Sequence, residues 1–158
     1  MYPIQLNLKN KRVALIGGGR IGFRKFKQLA KADYGSVTVI SKAFLPEFFE
    51  QSYPGIKLIT KDYDKEDIAE ADVVIIATDS QEINDQIKQD TKPHQLVNHT
   101  GDKLQSDFFN MREFDFEDLA ISVRSNGGDY IKAKQVSKAI EKYLQEDYGR
   151  ENGCLDND

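Results

Sequence analysis

The stretch Val13-Ala14-Leu15-Ile16-Gly17-Gly18-Gly19-Arg20-Ile21-Gly22 restricts the possible folds of this chain more than any other. Val13 to Ile16 are contiguous and apolar, the pattern of a strand covered on both faces, as in a parallel sheet. Gly17, Gly19 and Gly22 then spell G-x-G-x-x-G immediately before a segment whose Ile21, Phe26 and Leu29 share one helical face. In that strand–turn–helix setting the motif is a dinucleotide-binding fingerprint. Gly17 permits the tight turn, Gly19 lets a pyrophosphate approach the backbone, and Gly22 lets helix and strand pack closely. The phosphate rests on the helix N-terminus, which makes Gly17, Gly19, Arg20, Ile21 and Gly22 the first cofactor-binding residues.

The rest of the chain alternates in the same way. Strands are expected at 11–16, 36–40, 56–60 and 72–77, with a fifth beginning at Leu96, and helices at 21–32, 44–51, 64–70 and 80–91. Strand, helix, strand, helix implies an α/β, Rossmann-like, doubly wound parallel sheet. After residue 112 the style changes to one strand at 118–125, an Asn126-Gly127-Gly128 turn and one helix over 131–148. That pair is too small to fold alone. The expected organisation is therefore a dinucleotide-binding domain over 1–112, a docking segment over 113–150, and a polar, acidic tail over 151–158 read as disordered.

Composition narrows the function classes. A formal net charge of -4 disfavours a broad nucleic-acid surface. No apolar run approaches the ~20 residues that span a bilayer, and no secretion signal is visible at the N-terminus. The sole cysteine, Cys154, excludes an intrachain disulfide framework and fits a reducing, cytoplasmic setting. The two histidines, His94 and His99, do not make a metal-site spacing, so no metal is expected.

In a sheet of this kind, ligands bind beyond the strand C-termini. The second strand ends Ile40-Ser41-Lys42, with no Asp or Glu to bind a ribose. Ser41 could bond a ribose hydroxyl, and Lys42 could meet a 2′-phosphate, although it reads more simply as a solvated loop lysine. Thr78 and Asp79 follow the fourth strand and belong to the same crevice; Asp79 or Ser80 is equally suited to capping the next helix. Asn98 ends the fifth strand there too. His99 and Asp102 follow as titratable groups; His99 could serve as a general base, although a loop histidine of this kind is more often merely solvated.

Taken in order, these segments resemble the precorrin-2 dehydrogenases, the N-terminal module of siroheme synthases. The resemblance rests on "VALIGGGRIGFRK", on "SVTVIS", which likewise lacks the usual acid, on "IIATDSQEIN", on "LVN" and "SDFF", and on "LAISVRSNGGDYIKAKQVSKAIEKYL". It spans the chain to about Leu144. It implies oxidation of precorrin-2 to sirohydrochlorin, on the route to siroheme, with NAD rather than NADP as hydride acceptor. It also implies that the last strand and helix form a homodimer, which agrees with the unpaired edge that the strand at 118–125 would present. The tetrapyrrole substrate is rich in carboxylates, so basic groups must gather at the crevice mouth. Arg24, Lys25, Arg124 and Lys134 are the substrate-binding candidates.

Two positions depart from the family. Its favoured acid–base aspartate falls at Gly101 here, with Asp102 next to it, and Asp129-Tyr130 replace its Ser-Pro. Asp102 is therefore the first acid–base candidate and His99 the second. Iron insertion, known in some members, is not expected. Two other readings compete: a non-catalytic NAD(H)-sensing module, which would typically carry an acid where Ser41 stands, and a carrier of NAD or tetrapyrrole, kept open by Gly101.

Overall fold

A computed structural model describes residues 2–50, 52–125 and 129–148. Contacts divide the chain into two units, Met1–Phe109 and Asn110–Asp158.

The first unit is built on five parallel strands: β1 (Leu8–Ile16), β2 (Tyr34–Ser41), β3 (Ile56–Thr60), β4 (Val73–Ile76) and β5 (Leu96–His99). Their order is β3-β2-β1-β4-β5. The chain winds outward from β1 to β3, then crosses to the far side of β1, so the winding direction switches between β1 and β4. Such a switch opens a crevice beyond the strand ends. The register aligns Leu15 with Val39 and Ile75, and Ile16 with Ile40 and Ile76.

Because side chains alternate across a strand, these two rows feed two cores. Leu15, Val39 and Ile75 join Phe26 and Leu29 of α1 (Arg20–Leu29), together with Phe48. Ile16, Ile40 and Ile76 join Ile68 and Ile87, the latter on α2 (Gln81–Asp90). Phe26, Phe48 and Ile87 are almost fully buried, and burial of each such side chain is worth roughly 1.5–3 kcal/mol.

The helices expected at 44–51 and 64–70 are each a single 3-10 turn, Pro46–Phe49 and Lys65–Asp67. Pro46 starts the first, and a ring cluster of Phe23, Phe26, Phe44 and Phe48 holds it. Asp64 and Asp67 close the second as a reciprocal capping box. Local capping and aromatic packing here satisfy the backbone within one turn.

The second unit differs from the expected strand and helix. It holds a hairpin of β6 (Arg112–Phe116) and β7 (Leu119–Val123), paired antiparallel, then α3 (Tyr130–Tyr143) and a short π turn, Leu144–Tyr148. Glu117 turns the hairpin at φ 51, a left-handed conformation usually taken by glycine or asparagine. Leu119, Tyr130, Ile131, Val136 and Tyr143 are exposed, and Phe114 and Ser137 are buried. The residues of the Asn126-Gly127-Gly128 turn and of the tail at 151–158 lie outside the described residues.

Candidate functional site

The glycine loop is held by contacts that no side chain could replace. Gly17 has φ 126, and its N–H donates to Ile40 O at 2.9 Å. A Cβ on Gly17 would strike the carbonyl of Ala77 at the end of β4. A Cβ on Gly22 would strike the carbonyl of Gly17. These two glycines thus bring the start of α1 onto β1, and β1 onto β4, at the switch point.

Gly19 is different. A Cβ there would meet nothing within 4 Å. Its own fold does not require a glycine, and the space above it is open. Gly19 is also the N-cap of α1, with no side-chain cap and no acidic residue in the first turn. The opening N–H groups of a helix have no partner within the helix, and they carry its positive dipole end. Exposed Arg20 and Arg24 add two guanidinium groups along the same helix. An open cradle at a positive, uncapped helix end fits a dinucleotide pyrophosphate.

Ser41 lies against this loop. Its hydroxyl accepts from the N–H of Gly18 at 3.0 Å and donates to Ala43 O at 2.7 Å. Lys42 is paired with Asp62 at 2.7 Å on the surface. Across the crevice, Thr78 donates to Asn84 Oδ1 at 2.6 Å, and Asn84 Nδ2 returns a bond to Thr78 O at 3.2 Å. Asn84 is buried, so this pair ties the loop after β4 to α2. The cap of α2 is Ser80, whose hydroxyl accepts from Ile83 N at 3.3 Å. That leaves Asp79 exposed and without the capping duty considered for it.

Beyond β5, a compact loop gathers Asn98, His99 and Asp102. Asn98 is buried; its Nδ2 donates to Phe108 O at 2.8 Å, and its Oδ1 has no partner among the described residues. His99 is almost fully buried, and its Nδ1 accepts from the N–H of Asp102 at 2.8 Å. Ser106 Oγ accepts from the N–H of His99 at 2.8 Å. The Asp102 carboxylate caps the turn Lys103–Gln105, accepting from Leu104 N at 2.8 Å and Gln105 Nε2 at 3.0 Å. The Gln105 and Leu104 bonds hold it below the usual carboxylate range. Its capping role was absent from the sequence reading, although Asp followed by Lys-Leu-Gln is an ordinary cap pattern.

Lys25, expected to present its charge at a crevice mouth, is buried on α1. It is 7% exposed, and burial, followed by the Arg24 charge, lowers its pKa to about 8. Arg124 and Lys134 are exposed residues of the second unit, just after β7 and on α3. Among the described residues no group of His, Cys, Asp and Glu could hold a metal ion, and no helix is long and apolar enough to cross a membrane.

Comparison with known proteins matches residues 4–111 to the family described as "Putative NAD(P)-binding". The chain is 27% identical over 149 residues to a precorrin-2 dehydrogenase of Bacillus subtilis, covering 94% of this chain and 91% of that one. It is 29% identical over 151 residues to a siroheme synthase of Mannheimia succiniciproducens, where it covers 94% of its own length but 31% of the relative's. Among solved structures, SirC, a precorrin-2 dehydrogenase, superposes with a TM-score of 0.79 at 23% identity, over 92% of this chain and 74% of that one. This likeness establishes the same fold.

Proposed function

The chain belongs to this NAD(P)-binding family, and on that premise we propose that it is a precorrin-2 dehydrogenase, oxidising precorrin-2 to sirohydrochlorin with NAD. The observation that carries the proposal is Gly19. It is the one motif glycine whose Cβ the protein itself would tolerate, so the fold leaves room there for something else. The match to the Bacillus subtilis relative, over 94% of this chain and 91% of that one, supports the substrate.

NAD, when bound, supplies the two-electron acceptor. The chain's own residues supply the rest. Gly17 and Gly22 fix the loop, and the α1 N-terminus with Gly19, Arg20 and Ile21 holds the pyrophosphate. Ser41, Thr78, Asp79 and Asn98 line the strand ends along which the dinucleotide extends. Arg24 presents a cation to the substrate carboxylates; Arg124 and Lys134 are the second unit's own basic candidates. Asp102 takes the proton released as precorrin-2 is oxidised, with His99 beside it; the capping bonds occupy only part of a carboxylate's accepting capacity. Positioning of the reacting carbon supplies much of the rate.

The second unit supports a homodimer. A two-stranded hairpin is marginal alone, its outer edges are unpaired among the described residues, and Ile131, Val136 and Tyr143 of α3 stand exposed. A second copy would bury them. Light scattering at micromolar concentration should give twice the chain mass; a monomer would count against this.

One observation favours a second reading, a non-catalytic carrier: Gly101 has no carboxylate, and that of Asp102 is engaged in a cap. Anaerobic mixing of the protein with NAD and precorrin-2 separates the two. Growth of the sirohydrochlorin spectrum supports the enzyme, and binding without conversion supports the carrier.

A further inference from the structure

NAD-binding folds commonly end their second strand in an Asp or Glu that bonds the ribose and repels a 2′-phosphate. Here β2 ends in Ser41, and the hydroxyl hydrogen of Ser41 is committed to Ala43 O. The neighbouring β3 supplies what is missing. The N–H of Lys61 donates to Ser41 O at 3.0 Å, carrying the β2–β3 ladder one residue past the end of β3. Asp62 follows at once. Its Oδ1 lies 2.7 Å from Lys42 Nζ, and both side chains are 75% exposed. The pair is therefore open to a ligand, and as a surface ion pair it is held weakly.

We propose that Asp62 selects the unphosphorylated dinucleotide, acting from the end of β3 in place of the acid that β2 lacks. Its carboxylate does so in two ways. It repels a 2′-phosphate directly, and it neutralises Lys42, the cation that would otherwise attract one. Removing the carboxylate turns a neutral pair into a free ammonium beside the ribose position. Removing the ammonium leaves a bare carboxylate. The two changes must therefore move specificity in opposite directions.

The inference rests on the glycine loop being the pyrophosphate site, and calorimetric titration with NAD and with NADP tests both separately. Wild type should bind NAD more tightly. Asp62→Asn should raise the NADP-to-NAD affinity ratio about tenfold, and Lys42→Met should lower it; both shifts should shrink at high salt. A wild type that prefers NADP overturns the inference, as does an Asp62→Asn ratio within twofold of wild type, or a shift of the same sign in both variants. Failure of wild type to bind either dinucleotide, or full NAD affinity in Gly19→Asp, instead overturns the reading of the loop, and the inference falls with it.

Discussion

The backbone N–H of Asp102 donates to Nδ1 of His99 at 2.8 Å. Nδ1 is thus an acceptor, and the neutral ring carries its proton on Nε2. Nε2 is buried and has no partner among the described residues. The bond ties the imidazole to the same residue whose carboxylate caps the next turn. Loop shape and acid–base candidates are one network.

Asp102→Asn separates the two duties of that residue. Asparagine caps a turn as well as aspartate does, so the loop should survive and thermal stability should change little. It cannot accept a proton, so turnover should fall roughly 100-fold, the scale expected for loss of an acid–base group. Normal turnover in this variant would show that the proton leaves by another route.

Gly101→Asp places a carboxylate at the position where the family resemblance leads one to expect an aspartate. A Cβ at 101 would lie 3.5 Å from His99 Cε1 and 3.9 Å from Asn84 Nδ2, which is ordinary contact. The variant should fold, and its turnover should exceed that of wild type by about tenfold or more. A folded variant no faster than wild type would remove position 101 from the chemistry.

Lys25 gives the fold a pH dependence. Burial and Arg24 lower its pKa from 10.5 to about 8, so the folded state disfavours the ammonium. Below about 8 the whole penalty is present. Between about 8 and 10.5 the unfolded chain keeps a proton that the folded one has lost, so stability rises with pH across that window. Denaturant unfolding should show a gain on the order of 1–3 kcal/mol, and Lys25→Met should flatten it. An equal slope in the variant would assign the effect elsewhere.

What the sequence discloses follows from where local chemistry decides the outcome. Val73 to Ile76 is apolar without interruption and is buried throughout; no other element suits it. The glycine motif is legible because two of its positions collide with backbone if given a side chain. The β6 strand is hard to read from sequence: Arg112-Glu113-Phe114-Asp115-Phe116 carries three charges in five residues, and the hairpin turns at Glu117 without a glycine signal. The burial of Lys25 is not legible, because helical spacing alone does not say which lysine of α1 tertiary packing covers. Ser41 stands out in the sequence where an acid is usual, but its commitment to Gly18 and Ala43 depends on a tertiary approach.

The central claim is that the open position at Gly19 admits the dinucleotide that oxidises precorrin-2. Gly19→Asp is suited to test it, because a Cβ there meets nothing within 4 Å and aspartate is a good residue for the uncapped N-cap of α1. The measurement is anaerobic turnover of precorrin-2 with NAD, following NADH and sirohydrochlorin together, for wild type and for folded Gly19→Asp. The account predicts equal amounts of the two products from wild type and neither from the variant. Sirohydrochlorin formed by the variant at the wild-type rate, or by wild type without matching NADH, would contradict it.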